Sequence, residues 1–344
     1  MQATAQSSAQ ILADLKQSSR SFKDWLLDSS IYYSFDLSGF LRHQRLAPQF
    51  PNISLEHPKH ILITGANSGI GYALCDLLLD RGCQVSMLCR SHERGQKAQQ
   101  KLMDKHGISP KLYIADITNL NAIDSVATQI CTEVASNRQT AIDCLVHNAG
   151  LLPNSLSITS TGHELTVGAH LIGPTRLTAK LMDGLAHQAR IIFMSSGGMY
   201  FAPLDPKQML AYQDENSKAY DGVFAYALSK RAQVELAQLL HKKLSLHNKQ
   251  IDVQSIHPGW VDTPGVQGSL AKFHERMQGK LRDSYQGALP AEWLCCLPPL
   301  QDSSFWFDWA PRSPYLLGKR PKQFQKDALW TMVCTGANLP FDWV

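Results

Sequence analysis

From His60 onward the chain alternates short apolar runs with longer amphipathic stretches. The runs are His60–Thr64, Gln84–Cys89, Lys111–Ala115, Ile142–His147, Arg190–Ser195, Ile251–Ile256 and, more weakly, Ser304–Phe307. Between them lie Gly69–Arg81, Glu93–His106, Asn119–Ser136, Gly162–Leu185 and Phe224–Leu246, whose apolar positions recur at helical spacing. Continuous apolar strands separated by helices predict a parallel sheet covered on both faces. Right-handed crossovers make this a doubly wound α/β domain of about seven strands. In such sheets ligands sit at the carboxyl ends of the strands, so the residues just after each run are the ones to read for chemistry.

Residues 1–57 precede this rhythm. Ala9–Leu27 is expected as a helix with Ile11, Leu12, Leu15, Phe22, Leu26 and Leu27 near one stripe, and Ile31–Arg45 adds aromatics beside Arg42, His43 and Arg45. Such an arm packs on its own domain or on a partner subunit, or rests its stripe on a membrane surface. The division expected is an arm over 1–57, a catalytic domain over 58–270, and a lid and extension over 271–344 packed on that domain.

Composition narrows the class. The chain has 344 residues, 44% apolar and 18% charged, which suits a folded core and excludes a disordered chain. No apolar run reaches the roughly 18 residues of a spanning helix. Met1–Ala13 lacks the basic start and apolar core of a secretory signal. A net charge of +4 is too mild to argue for nucleic acid. The eight cysteines (Cys75, Cys83, Cys89, Cys131, Cys144, Cys295, Cys296 and Cys334) form no C-x-x-C pair, which suggests free thiols, a reducing cytoplasmic location and no metal.

After the first run comes Thr64-Gly65-Ala66-Asn67-Ser68-Gly69-Ile70-Gly71. Strand, glycine turn and helix follow in the order that lets backbone N–H groups approach a phosphate. The second run ends at Arg90, where a carboxylate would accept from a ribose 2′-hydroxyl. A guanidinium there suits a 2′-phosphate instead, so NADP(H) is expected over NAD(H). The third run ends at Asp116-Ile117, placing a carboxylate for an adenine amino group. The fourth ends at Asn148-Ala149-Gly150, small residues along the same path.

The fifth run ends at Ser195-Ser196, and Tyr226-Ala227-Leu228-Ser229-Lys230 follows on a helix. Positions i and i+4 share a helical face. A free phenol has a pKa of ~10, too high for proton exchange near neutrality. Lowering it by ~3 units takes ~4 kcal/mol, which a nearby ammonium and a nicotinamide cation in a dry pocket can supply. Tyr226 is then the acid and base, and Ser196 holds the reacting oxygen.

These pieces together resemble the short-chain dehydrogenase/reductase superfamily, in particular its branch of retinol-dehydrogenase-like proteins. The matching segments are TGANSGIG, Asp116, HNAG at 147–150, SSGGM at 195–199, YALSK at 226–230, HPGWVDTPG at 257–265 and QGA at 286–288. The resemblance implies a Rossmann-type sheet and carbonyl/alcohol chemistry with NADP(H), NAD(H) remaining admissible. It implies that Gly65, Asn67, Ser68, Gly69, Ile70 and Gly71 hold the dinucleotide with Arg90, Asp116, Ile117, Asn148, Ala149 and Gly150. Lys230 would reach the nicotinamide ribose, and Pro258, Gly259, Val261 and Thr263 would border the nicotinamide amide. It suggests a lipophilic carbonyl or alcohol substrate and a homo-oligomer.

The chain departs from that pattern in two places. His170 stands where many relatives carry an Asn that bends the helix and holds a proton-relay water. A histidine there binds the water, relays the proton itself, or simply packs. Ser196 and Tyr226 are also 30 residues apart, and the insert Tyr200–Gly222, with Asp205, Asp214 and Glu215, reads as a loop at the substrate mouth.

Val266–Tyr285 places Phe273, Met277 and Leu281 every four residues among Lys272, Arg276, Lys280 and Arg282. That pattern predicts an amphipathic lid helix. Trp293, Phe305, Trp306, Phe307 and Trp309 are expected in the core or at a subunit contact. Lys319, Arg320, Lys322 and Lys326 form a solvated face or, with the arm, a peripheral contact to anionic lipid. The alternative to an enzyme is a dinucleotide sensor or scaffold without turnover.

Overall fold

The structure is a computed structural model and describes residues 31–46, 57–212, 220–246, 250–315 and 320–344. Seven parallel strands and one antiparallel edge strand form a single sheet. The strands are β1 His60–Thr64, β2 Gln84–Cys89, β3 Lys111–Ile114, β4 Ile142–His147, β5 Leu185–Met194, β6 Asp252–His257, β7 Phe305–Phe307 and β8 Ala310–Arg312. Their order is β3-β2-β1-β4-β5-β6-β7-β8, so the chain reverses direction of travel across the sheet between β1 and β4. That switch opens a crevice at the strands' carboxyl ends.

Seven strands are expected from the apolar runs, and the eighth is an addition. Its Pro311 gives no apolar run to read, and a proline is tolerated because β8 pairs with β7 alone, at the sheet edge. All five residues of β1 and all six of β6 are buried, as helices on both faces require. Trp306 is fully buried and Trp293, Phe305, Phe307 and Trp309 nearly so, which settles their place in the core.

Two expected helices are broken. Gly162–Leu185 becomes a turn of helix at Leu165–Val167, a π-helical turn at Gly168–Ile172 and a second helix at Gly173–Lys180. Pro174 is the cause: it has no N–H to give the carbonyl four residues earlier, that of His170. Val266–Tyr285 becomes two short helices, Pro264–Ser269 and Ala271–Arg276, followed by a stretch with Gly279 in the left-handed region. Met277 is buried there as expected of a lid's apolar side, but Arg282 is fully buried too and is no surface cation.

The arm's described part, helices Ile31–Phe35 and Leu37–Leu46, packs on its own sheet. Phe35 and Phe40 are buried, and the Phe35 ring meets Phe307 and His257 edge-on at 4.9 and 4.4 Å. The Ala9–Leu27 stripe, Lys319, Asp214 and Glu215 lie outside the described residues. The insert after Tyr200 carries a helix, Pro206–Ala211, whose Met209 joins the core with Tyr212. No described helix is long and apolar enough to cross a membrane.

Candidate active site

The glycine turn lies between the end of β1 and the helix Gly69–Asp80. Gly71 is there for closeness: a Cβ would stand 2.5 Å from Asn148 Nδ2 and strike the Gly65 carbonyl. Gly71→Ala is expected to introduce about 1–3 kcal/mol of strain, lowering Tm and weakening dinucleotide binding, as calorimetry would show. Ser68 occupies the N-cap, yet its hydroxyl accepts nothing from its own helix. The first amides of a twelve-residue helix are therefore left for an anion, and a Cβ at Gly69 would meet only the Thr263 side chain, at 3.6 Å or more. The turn fits a dinucleotide pyrophosphate.

The fourth strand end braces this turn. Thr64 Oγ1 accepts from the Asn148 and Ala149 amides at 3.0 and 2.9 Å, and Asn148 Nδ2 donates to the Thr64 carbonyl at 3.0 Å. Asn148 thus holds two strand ends together. Asp116 accepts from the Thr118 amide and hydroxyl through one carboxylate oxygen, both at 2.8 Å. Arg90 is exposed at the end of β2, and Ile117 is buried beside Asp116.

Ser196 lies two residues past β5 and caps a short 3-10 turn, its Oγ accepting from the Gly198 amide at 3.2 Å. Tyr226 and Lys230 lie in the helix Gly222–Leu244, which Asp221 caps by accepting from Val223 and Phe224. The three side chains converge. Ser196 Oγ and the Tyr226 ring stand side by side, since a Cβ on Gly198 would lie 3.7 Å from one and 3.9 Å from the other, and Lys230 Nζ stands 5.5 Å from the Tyr226 ring centre. A Cβ on Gly150 would lie 3.6 Å from that Nζ, so the lysine reaches the fourth strand end, beside the glycine turn.

Burial sets the charges. It pushes the Tyr226 phenol up, with the neighbouring Ser196 hydroxyl pulling it back. The same burial brings the Lys230 ammonium down to about 7. In the protein alone the two groups are both held toward their neutral forms, and the expected acidification of the phenol has to come from a further positive charge.

His170 is buried at the π-helical turn with both ring nitrogens engaged. Nε2 faces the Leu151 amide at 3.1 Å, and an amide can only donate, so the ring proton is on Nδ1. Nδ1 donates to Ser229 Oγ at 2.8 Å, and Ser229 passes its own proton to the Tyr226 carbonyl at 2.8 Å. Burial and Lys230 hold the imidazole well below its ordinary pKa, so it stays neutral. Of the alternatives for this histidine, the packed one matches these contacts.

Pro258, Gly259, Val261 and Thr263 lie in the loop after β6. Gly259 has φ +85°, and a Cβ there would run into the Arg282 guanidinium. Arg282 was absent from the expected site residues, yet it organises this loop. It donates to the carbonyls of Ser34, Asp36 and Pro258 at 3.1–3.3 Å and pairs with Asp308 at 2.5 Å. His43 completes the cluster by bonding Asp308. The available signal was one of four cations in Val266–Tyr285, placed immediately before the Asp283–Gln286 capping box, which reads as surface. The helix Pro264–Ser269 ties down through Ser269 Oγ, which donates to the Leu152 carbonyl at 2.6 Å.

Residues 59–203 match the family model described as short chain dehydrogenase. The chain is 33% identical over 241 residues to bovine (Bos taurus) dehydrogenase/reductase SDR family member 12, covering 69% of this chain and 71% of that one. It is 31% identical over 221 residues to mouse (Mus musculus) retinol dehydrogenase 14, covering 61% of this chain and 63% of the relative. A short chain dehydrogenase from Shigella flexneri, solved with NADP, superposes with a TM-score of 0.57 at 20% identity, covering 75% of this chain and 99% of the other.

Proposed function

This chain belongs to the short-chain dehydrogenase family, and from that premise we propose that it uses NADP(H) to interconvert a carbonyl and an alcohol on a lipophilic small molecule, with Tyr226 as acid and base. The oxidoreductase class and a nicotinamide dinucleotide come with the family. The residue roles, the preference for the 2′-phosphate and the substrate class are the proposal.

The convergence of Ser196, Tyr226 and Lys230 beside the glycine turn carries this reading. Plain dinucleotide storage requires no phenol set beside a serine and a lysine at the crevice. When bound, the nicotinamide ring would give or take the hydride and, oxidised, would add the positive charge that the phenol needs. Tyr226 gives its phenolic proton to the carbonyl oxygen on reduction and takes it back on oxidation. Ser196 donates to the same oxygen and holds it within reach of the phenol. Lys230 donates to the ribose and, when charged, favours phenolate.

Arg90 would take the 2′-phosphate. It is exposed at a strand end, where its fork meets an anion without desolvation cost. Arg90→Ala is expected to weaken NADPH binding about 10-fold, the effect of ~1.4 kcal/mol, while NADH binding stays put. Titrating both cofactors against both proteins checks this, and equal affinity in the wild type would remove the preference. The names of the retinol dehydrogenase relatives support a lipophilic substrate. Screening apolar aldehydes and ketones for NADPH oxidation tests the activity, and loss of absorbance with none of them would count against it.

A further inference from the structure

Gln233 lies one turn beyond Lys230 on the same helix and is fully buried. Its carboxamide is bonded at both ends. Oε1 accepts from Lys230 Nζ at 3.0 Å, and Nε2 donates to the His170 carbonyl at 2.9 Å. Pro174 explains why that carbonyl has room for a partner from another helix, because the N–H that a regular helix would offer it is missing. Lys230 gives a second N–H to the Met194 carbonyl at 2.8 Å. An ammonium has three donors, so two point inward and the third is left for the crevice.

We propose that Gln233 is the positioning residue for Lys230: its carboxamide bridges the amine to the bent turn at His170 and thereby aims the remaining N–H at the ribose site. The bridge also favours the charged amine, since a carbonyl oxygen accepts from ammonium more strongly than from amine. The titratable groups facing Lys230 are Tyr226, from the same helix, and His170, from the π-helical turn. His170 is neutral and Tyr226 is a phenol, so Gln233 and Met194 are what stabilise the positive charge from inside. A carboxamide does not pass protons on near neutrality. The inner side of Lys230 is therefore closed, and protons for Tyr226 must arrive from the crevice. The inference rests on the role proposed for Lys230, but its test reads the lysine itself.

The full chain, labelled at lysine nitrogen and Cε, is titrated by NMR, with Lys230 assigned from the spectrum of Lys230→Arg. The wild-type midpoint is expected near 7. Gln233→Met keeps the bulk and removes the acceptor, so its midpoint should fall by about one unit, a tenfold change in protonation. Gln233→Glu keeps the shape and adds a negative charge, so its midpoint should rise by about as much. Should the methionine variant fail to fold, the upward shift in the glutamate variant decides alone. Midpoints within about 0.3 unit of wild type, with Tm lowered, would mean a purely structural glutamine and overturn the proposal. Absence of turnover with every carbonyl compound would sink the enzymatic role and leave this titration unchanged.

Discussion

Tyr226→Phe is expected to lower turnover by about 10²–10⁴-fold while NADPH still binds within about threefold of wild type. The variant removes one oxygen. The ring that packs edge-on against His170, at 5.6 Å between centres, stays in place, and so does the Asp221 cap that starts its helix. Lost with the oxygen is the proton given to the substrate. In the proposed reading the dinucleotide is held mainly elsewhere, at the glycine turn and the Asn148–Gly150 strand end. A single-turnover assay and a fluorescence titration, run on the same preparation, separate chemistry from binding. A variant that reduces its carbonyl substrate as fast as wild type would refute the role of this phenol.

The second large effect concerns stability. Arg282→Met should cost about 3–5 kcal/mol, the usual consequence of removing one partner from a buried pair. The guanidinium is fully buried against Asp308 and three backbone carbonyls, two of them, those of Ser34 and Asp36, in the N-terminal arm. Its loss leaves the Asp308 carboxylate with His43 and leaves the arm tied to the loop Pro258–Thr263 by the Trp260 amide on the Phe35 carbonyl at 2.8 Å. A lower denaturation midpoint should therefore come with weaker NADPH binding. Acid sharpens the comparison. Arg282 and His43 hold the Asp308 carboxyl down to about 2, below its ordinary value. A depressed carboxyl stabilises fully above its unfolded pKa of ~3.9, and the contribution, about 2 kcal/mol, drains away as pH falls toward 2. In Arg282→Met the carboxyl titrates higher, so the acid loss should begin at higher pH. Denaturation curves that superpose at every pH would rule out this cluster as a stabilising hub.

The parallel sheet was legible because its central strands are buried on both faces and therefore read as unbroken apolar runs; β1 and β6 show why. Ser196, Tyr226 and Lys230 were legible because a strand end and a four-residue helical step fix where such side chains go. The weak seventh run was a true strand, whereas β8 was hidden by Pro311 and Arg312, whose pairing partner lies outside their own segment. The regular helix expected across Gly162–Leu185 overlooked the proline's missing donor.

By itself, then, the amino-acid order determined the α/β class, the glycine turn and the side chains gathered at the strand ends, since these follow from local periodicity and backbone freedom. Only the tertiary structure decided that Arg282 is a core residue, that His170 is saturated by Leu151 and Ser229, and that Gln233 braces Lys230. Hydrogen-bond partners and burial depend on what distant segments bring to the same place. Asp308 meets Arg282 across 26 residues, and Gln233 reaches the His170 carbonyl across 63. No local pattern encodes those meetings.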